Sequence, residues 1–243
     1  MVKLFSKNIM LVAPLLLSLT YCISCTHSSS SRVEGTVDDS AESSAVLPVI
    51  EDIPDQYVKN LDLSVTPVIS NNDEINGVVH WIKIYGPDGV KVDPETGQVT
   101  WDIDSNMPNE SFHVGLKVSA QSKNVNISFI VHVGLSKDKV ITVGDTGDYL
   151  NLKQGMENLE SGGTLVLVDG IYAGEKNYIG RTDGGNLQHP PSGTEGAYTT
   201  IMAKHPGEAI LTDGAHVSLQ ALAGHEPVSY VAFKGLFVKG GQL

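Results

Sequence analysis

GPDGVKVDPETGQVTWDI, residues 86–103, contains two short apolar-alternating runs, Val90–Val92 and Val99–Trp101, joined by Asp93-Pro94-Glu95-Thr96-Gly97. Proline suits the second position of a turn because its φ is already set. Glycine at the end supplies the positive φ that lets the chain reverse. The stretch therefore predicts a β-hairpin. Outward from it the same period-two pattern recurs in LDLSV (61–65), VVHWIKIYG (78–86), FHVGLKVSA (112–120) and VNISFIVHV (125–133). The separators, SNNDEING (70–77) and NMPNES (106–111), are turn chemistry. Several strands at short spacing predict an antiparallel sandwich over residues 47–135, with Trp101, Val114, Leu116, Val118, Phe129 and Val131 facing inward.

The hairpin and the two long strands after it resemble the Ig- or cadherin-like domains of bacterial surface proteins. The shared signature is Gly, an apolar run, Asp-Pro-x-Thr-Gly, an apolar run and Thr-Trp, then two closing strands. The resemblance implies a spacer or binding module, and some relatives bind calcium. Calcium is accordingly the one cofactor to be weighed. Asp88, Asp93, Asp102 and Asp104 are its candidate ligands, because hard cations take clustered oxygens. All four lie at or beside turns, where aspartate is common without a metal, and solvated turn residues are the competing reading.

Beyond residue 140 the pattern changes. In GDYLNLKQGMENLESGG (147–163) Leu152, Met156 and Leu159 fall on one helical face. Asn151 with Gln154 three residues on fits a capping box, and Gly162 a stop. Gly155 weakens such a helix by about 1 kcal/mol relative to alanine, so tertiary packing must hold it. TLVLVDGIYAG (164–174), YTTIMAKHPGEAILTDG (198–214) and VSYVAFKGLFVKGG (228–241) then read as short strands broken by Asp-Gly, Pro-Gly and Lys-Gly. Between the first two lies a long Gly/Pro-rich loop, EKNYIGRTDGGNLQHPPSGTEGA (175–197).

This second half resembles the N-terminal cap and first coils of a right-handed parallel β-helix of the pectate-lyase-like superfamily. The expected class is all-β: an antiparallel Ig/cadherin-like sandwich (47–135) followed by β-helix coils (141–243). A solenoid coil is covered by its neighbour, so about three or more repeats and a polar end cap are needed. VSYVAFKGLFVKGGQL (228–243) would leave an open edge, a hazard that native proteins avoid. The expectation is that the chain is the front of a longer protein or a truncated reading frame. The alternative is a small domain closed by the sandwich or by a protein partner at that edge.

At the other end, Lys3 and Lys7 precede an apolar run from Ile9 to Leu19 and then TYCISC. The run is too short for a membrane span, which takes about 20 apolar residues, and has the form of an export signal. It resembles a bacterial lipoprotein signal with Cys25 as the lipidated first residue, although Cys22 stands where leucine is usual. Simple secretion is the alternative. Residues 1–25 are thus read as signal and 26–46, rich in serine and acidic residues, as a disordered tether from a membrane anchor. The expected place is the outer membrane or cell surface, otherwise the periplasm or medium. With both cysteines in the signal, the folded part can have neither a disulfide framework nor a cysteine zinc site.

The formal charge of −12 becomes −14 once Lys3 and Lys7 are removed, and it argues against nucleic acid as a partner. Polysaccharide is the expected partner. Lyases of the resembled superfamily use a cation to neutralise a uronate and a Lys or Arg as base. Those groups generally come from central coils, so no catalytic residue is carried over to this chain. Arg181, Asp183 and Asn186 form an oxygen-rich stretch that a plain turn also explains. His189, His205, His216 and His225 lack zinc-binding spacing. Lys204 and Lys234 read as outward-facing, Asp169 and Asp213 as corner residues, and no Ser-His-Asp motif or phosphate loop appears. Two readings follow. The chain is the anchor, spacer and front of a carbohydrate-active β-helix enzyme, a polysaccharide lyase or glycoside hydrolase, inactive by itself. Or it is a non-catalytic surface lipoprotein that binds glycan or protein.

Overall fold

The DPETG turn forms as its sequence requires. In a computed structural model describing residues 45–59, 62–181, 187–212 and 227–239, the Asp93 carboxylate accepts hydrogen bonds from the backbone N–H of Glu95 and Thr96, at 3.0 and 2.8 Å. Gly97 takes φ +74°, and a Cβ there would stand 2.5 Å from the Trp81 ring. The turn thus reverses the chain and lets Trp81 lie flat across it.

The hairpin supplies two of seven strands: β1 (Gln56–Val58), β2 (Asp62–Val65), β3 (Val79–Tyr85), β4 (Val90–Val92), β5 (Val99–Asp102), β6 (Glu110–Ala120) and β7 (Lys123–Val133), β4 and β5 being the hairpin itself. They pair in the orders β1-β7-β6-β3 and β2-β5-β4. Lettered A to G, these are sheets A-G-F-C and B-E-D, the order of an Ig-like sandwich with its first strand on the G edge. β1 runs parallel to β7, and the other pairs are antiparallel. Trp81, Trp101, Val114, Leu116, Val118, Phe129 and Val131 fill the space between the sheets, each at most 3% exposed. All six expected inward positions are among them.

The second half contains β8 (Val140–Val143), α1 (Leu152–Asn158), β9 (Thr164–Leu167), β10 (Gly170–Ala173), β11 (Gly180–Arg181), β12 (Leu187–Gln188), β13 (Thr199–Ala203), β14 (Ala209–Thr212), β15 (Val231–Lys234) and β16 (Phe237–Val238). Two parallel sheets result, β15-β13-β9-β8 and β10-β14-β16, and β11 pairs with β12 in a small antiparallel ribbon. Register aligns like residues in columns. Ile141, Leu165, Ile201 and Phe233 form one inward column, and Tyr172, Leu211 and Val238 another. Alternation puts Thr142, Val166, Met202 and Lys234 on the opposite face.

Helix α1 packs beside β8. The Asn151 side chain accepts from the Gln154 N–H at 3.1 Å, the expected cap. Gly155 is the contact point with the sheet: a Cβ there would lie 2.5 Å from Val143 Cγ2 and 2.6 Å from Leu165 Cδ1. Tyr172 locks the same corner, its hydroxyl 2.8 and 2.7 Å from the carbonyl oxygens of Val143 and Val168. Burial keeps that phenol protonated far above its ordinary range.

The sandwich and the parallel sheets lie in one compact unit, Ser43–Leu243. Ile130 of β7 packs with Val166 and Met202, and Val140 joins them at the margin. Residues 1–44 fall outside the described residues, and with them the expected export signal, Cys25 and most of the expected tether. Among the described residues, no helix is long and apolar enough to cross a membrane.

Replacing Gly155 with alanine tests the helix contact. Propensity alone predicts a gain of about 1 kcal/mol. Overpacking predicts a loss of about 1–3 kcal/mol, and the expected outcome of a denaturant melt is the loss.

Candidate functional site

The outer face of sheet β1-β7-β6-β3 decides where a ligand can sit. On β6 and β7, alternate residues share that face in paired rows: Ser111 with His132, His113 with Ile130, Gly115 with Ser128, Lys117 with Asn126. The first two rows are covered by the parallel sheet. The next two run out from under it.

Polar groups dominate the covered end. The Ser111 hydroxyl lies 2.7 Å from both His132 Nδ1 and the Thr164 hydroxyl. His132 Nε2 is 3.9 Å from the Asp55 carboxylate, and Tyr57 stacks on the imidazole at 4.6 Å. Ser, His and Asp are thus brought together although no motif announced them. The arrangement is not hydrolytic. Serine meets Nδ1 rather than Nε2, and Ser111 and His132 have no exposed surface for a substrate to reach. Ser111, Thr164 and His132 Nδ1 hydrogen-bond one another inside a buried junction, while His132 Nε2 is left without a hydrogen-bond partner among the described residues.

Lys234, expected to be an outward, solvated residue, belongs to that junction instead. Its ammonium donates to the Ser111 carbonyl and pairs with Glu110, both at 2.7 Å, and lies 4.5 Å from the Phe112 ring centre. Its strand does point it outward, but the sandwich occupies the outside. His113 Nε2 lies 2.6 Å from the carbonyl oxygen of Ala203. Burial lowers the pKa of this imidazole, opposed by that hydrogen bond and assisted by the Lys234 charge.

At the open end lies a cleft of about 600 Å³. Its floor is Tyr85, Asn126 and Ser128. The Tyr85 ring lies directly on Gly115, where any side chain would collide with it, and Tyr85 is 37% exposed. One wall is the extended segment Ile50–Ile53, bearing Glu51 and Asp52; the other is the β13–β14 turn, bearing His205 and Glu208. His205 Nδ1 is 2.8 Å from the nearer oxygen of Asp169. An ionised carboxylate only accepts, so Nδ1–H donates, and in the neutral imidazole Nε2 is left as the acceptor. An aromatic face beside amide, hydroxyl and carboxylate groups can stack on a pyranose ring and hydrogen-bond its hydroxyls.

Among the described histidines singled out in the sequence, His205 lines this cleft and His189 does not, and Asp169 orients His205. His189 lies by the Pro190 carbonyl, Nδ1 at 3.0 Å. The four calcium candidates form no such centre. Asp93 and Asp104 spend an oxygen on their own turns, the latter accepting from the Asn106 N–H at 2.8 Å. Asp102 borders a separate shallow hollow with Asp62 and Trp101. Among the described residues no three His, Cys, Asp or Glu side chains could together hold a metal ion. Arg181 contributes backbone to β11, while Asp183, Asn186, Asp213, His216 and His225 fall outside the described residues. Tyr85 and Glu208 were missed by sequence reasoning. The exposed aromatic at the end of a strand was the available signal for Tyr85.

No family model matches the chain, and no curated protein matches it. Among solved structures, human protocadherin-24 EC1-2 is similar over 41% of this chain and 52% of its own, at 16% identity and TM-score 0.31. The PKD domain of the KIAA 1837 protein overlaps 37% of this chain and 89% of its own, at 16% identity and TM-score 0.24. A Bacteroides fragilis protein assigned as an alpha-galactosidase overlaps 65% of this chain but 37% of its own, at 14% identity and TM-score 0.31. The chain thus spans about half of the protocadherin fragment and under two-fifths of the galactosidase. The Ig-like assignment of the sandwich rests on its own strand order.

His113 makes the junction pH-sensitive. Its folded pKa is lowered, so its stability contribution is complete above the ordinary histidine value, about 6.5. It is lost as pH falls from there towards the folded value, because the unfolded chain binds the proton first. Asp93, Asp138 and Asp148, held low by hydrogen bonds, weaken the fold only in a separate, more acidic window. Thermal melts are expected to show a first decline beginning near the histidine range, flattened in His113→Gln.

Proposed function

We propose that this protein is an exported, lipid-anchored surface protein that recognises carbohydrate, its Ig-like sandwich bracing the cap and first coils of a right-handed parallel β-helix. The solenoid part is supported by repetition: β9–β10, β13–β14 and β15–β16 each place one strand in each parallel sheet, in register with the last. A right-handed turn is the hand that parallel crossovers take. α1 would then be the plug at the first coil.

The observation that carries recognition of sugar is the cleft floor, where Tyr85 lies on Gly115 beside Asn126 and Ser128. A ring supported from beneath is immobilised before the ligand arrives, so stacking costs little side-chain entropy. Anchoring through Cys25, with residues 26–46 as a polar tether, would hold the folded part off the membrane.

Polysaccharide cleavage is the second reading, and the His205–Asp169 pair favours it. A carboxylate-oriented imidazole facing a cleft is the form of a general base. Three carboxylates lining the same cleft, from Glu51, Asp52 and Glu208, disfavour a uronate substrate.

Affinity electrophoresis against a panel of neutral, acidic and amino polysaccharides tests the primary reading. At least one is expected to retard the protein, and Tyr85→Ala to weaken that interaction about ten-fold or more while circular dichroism shows the fold retained. Retardation by none of the panel rejects it. Incubation with pectate, alginate and chondroitin plus calcium, followed by absorbance of unsaturated product, is expected to show no lyase activity from these 243 residues.

A further inference from the structure

The charge of the cleft goes further than its shape. Glu51 and Asp52 stand on one wall and Glu208 on the other, and among the described residues that line it none is lysine or arginine. The lining imidazole, His205, is held against Asp169 at 2.8 Å, which places a fourth carboxylate just behind the wall. Lys83, the nearest lysine along β3, is turned away, its ammonium donating to the Pro87 carbonyl at 2.9 Å. Lys234, the cation of the junction, is already neutralised by Glu110. Lys117 shares the floor's face beside Asn126 but is not among the lining residues, so the lining itself carries three carboxylates against no lysine or arginine, above a floor that stacks on a ring.

From this we infer that the cleft selects sugars bearing a free amino group, a statement that rests on the cleft being the glycan site. A pyranose on Tyr85 is within reach of both walls. An ammonium substituent there gains charge-assisted hydrogen bonds to carboxylates. An N-acetyl group at the same place keeps the stacking and forfeits the charge. A uronate keeps the stacking and meets repulsion.

Titration calorimetry in mildly acidic buffer, with glucosamine amines protonated and carboxylates still ionised, reads this directly. Three oligosaccharides of equal length serve as probes: glucosamine, N-acetylglucosamine and galacturonic acid. The glucosamine oligomer is expected to bind roughly ten-fold more tightly than its N-acetylated counterpart, and the galacturonate oligomer most weakly. Added salt is expected to weaken the first and barely change the second.

Because the whole chain is acidic, location needs its own control. The triple variant Glu51→Gln, Asp52→Asn, Glu208→Gln is expected to level the three affinities. A second triple variant, Glu74→Gln, Glu95→Gln, Glu195→Gln, removes the same charge from exposed sites elsewhere and is expected to leave the preference intact. Equal losses in both triples overturn the inference by assigning the attraction to the general surface. Galacturonate binding as tight as glucosamine binding also overturns it, while leaving recognition of sugar at the cleft standing. If none of the three probes binds, selection of amino sugars is overturned, and the wider polysaccharide panel decides the broader reading on its own.

Discussion

A parallel sheet of short strands has two faces to bury, and here the outer one is buried by the sandwich. The inner columns led by Leu165 and Ile201 are covered by α1 and by the second parallel sheet. The outer face carries Val140, Val166 and Met202, apolar groups that need cover as much as the inner ones. Ile130 of the sandwich supplies it, and the hydroxyls of Ser111 and Thr164 meet each other in the same plane at 2.7 Å. A buried hydroxyl without a partner is costly, so this pairing favours the observed register of the two sheets, although the neighbouring Thr200 hydroxyl is left without a partner among the described residues.

Lys234 shows the same constraint from the far strand. Its ammonium lies over the Phe112 ring and reaches Glu110 and a backbone carbonyl of β6. A lysine that would be solvated on an isolated sheet becomes a clamp because a second sheet lies where water would be. β15 itself is only half-buried, whereas β9 and β13 are fully buried between neighbours.

The cleft is a by-product of that docking. The Ser111 end of β6 meets β9, β13 and β15 of the parallel sheet, whereas Gly115 further along is covered by Tyr85. The first two rows of the shared face become a dry junction of Ser111, His132, His113 and Ile130. The following rows become an open floor, walled by the β13–β14 turn and by the segment entering β1. Covered and uncovered rows differ in chemistry accordingly: paired hydroxyls and imidazoles inside, and Tyr85, Asn126 and carboxylates outside.

Much of the fold was legible in the residues themselves. Period-two alternation marked the strands, Asp93–Gly97 marked the hairpin, and Asn151 with Leu152 and Met156 marked the capped helix, because each depends on neighbours within a few residues. The sequence alone also determined the acidic balance and the thiol-free folded region. What it left open depended on residues far apart in the chain. Gly155 read as a weakness in a helix, yet its missing side chain is what lets Val143 and Leu165 approach. Lys234 read as solvated, and Ser111, His132 and Asp55 had no reason to be grouped. Tyr85, Glu51 and His205 are separated by as much as two-thirds of the chain, and only the docking of one sheet on another puts them around one cleft. Local backbone chemistry is written in consecutive residues; the faces that become sites are chosen by which surfaces must be hidden from water.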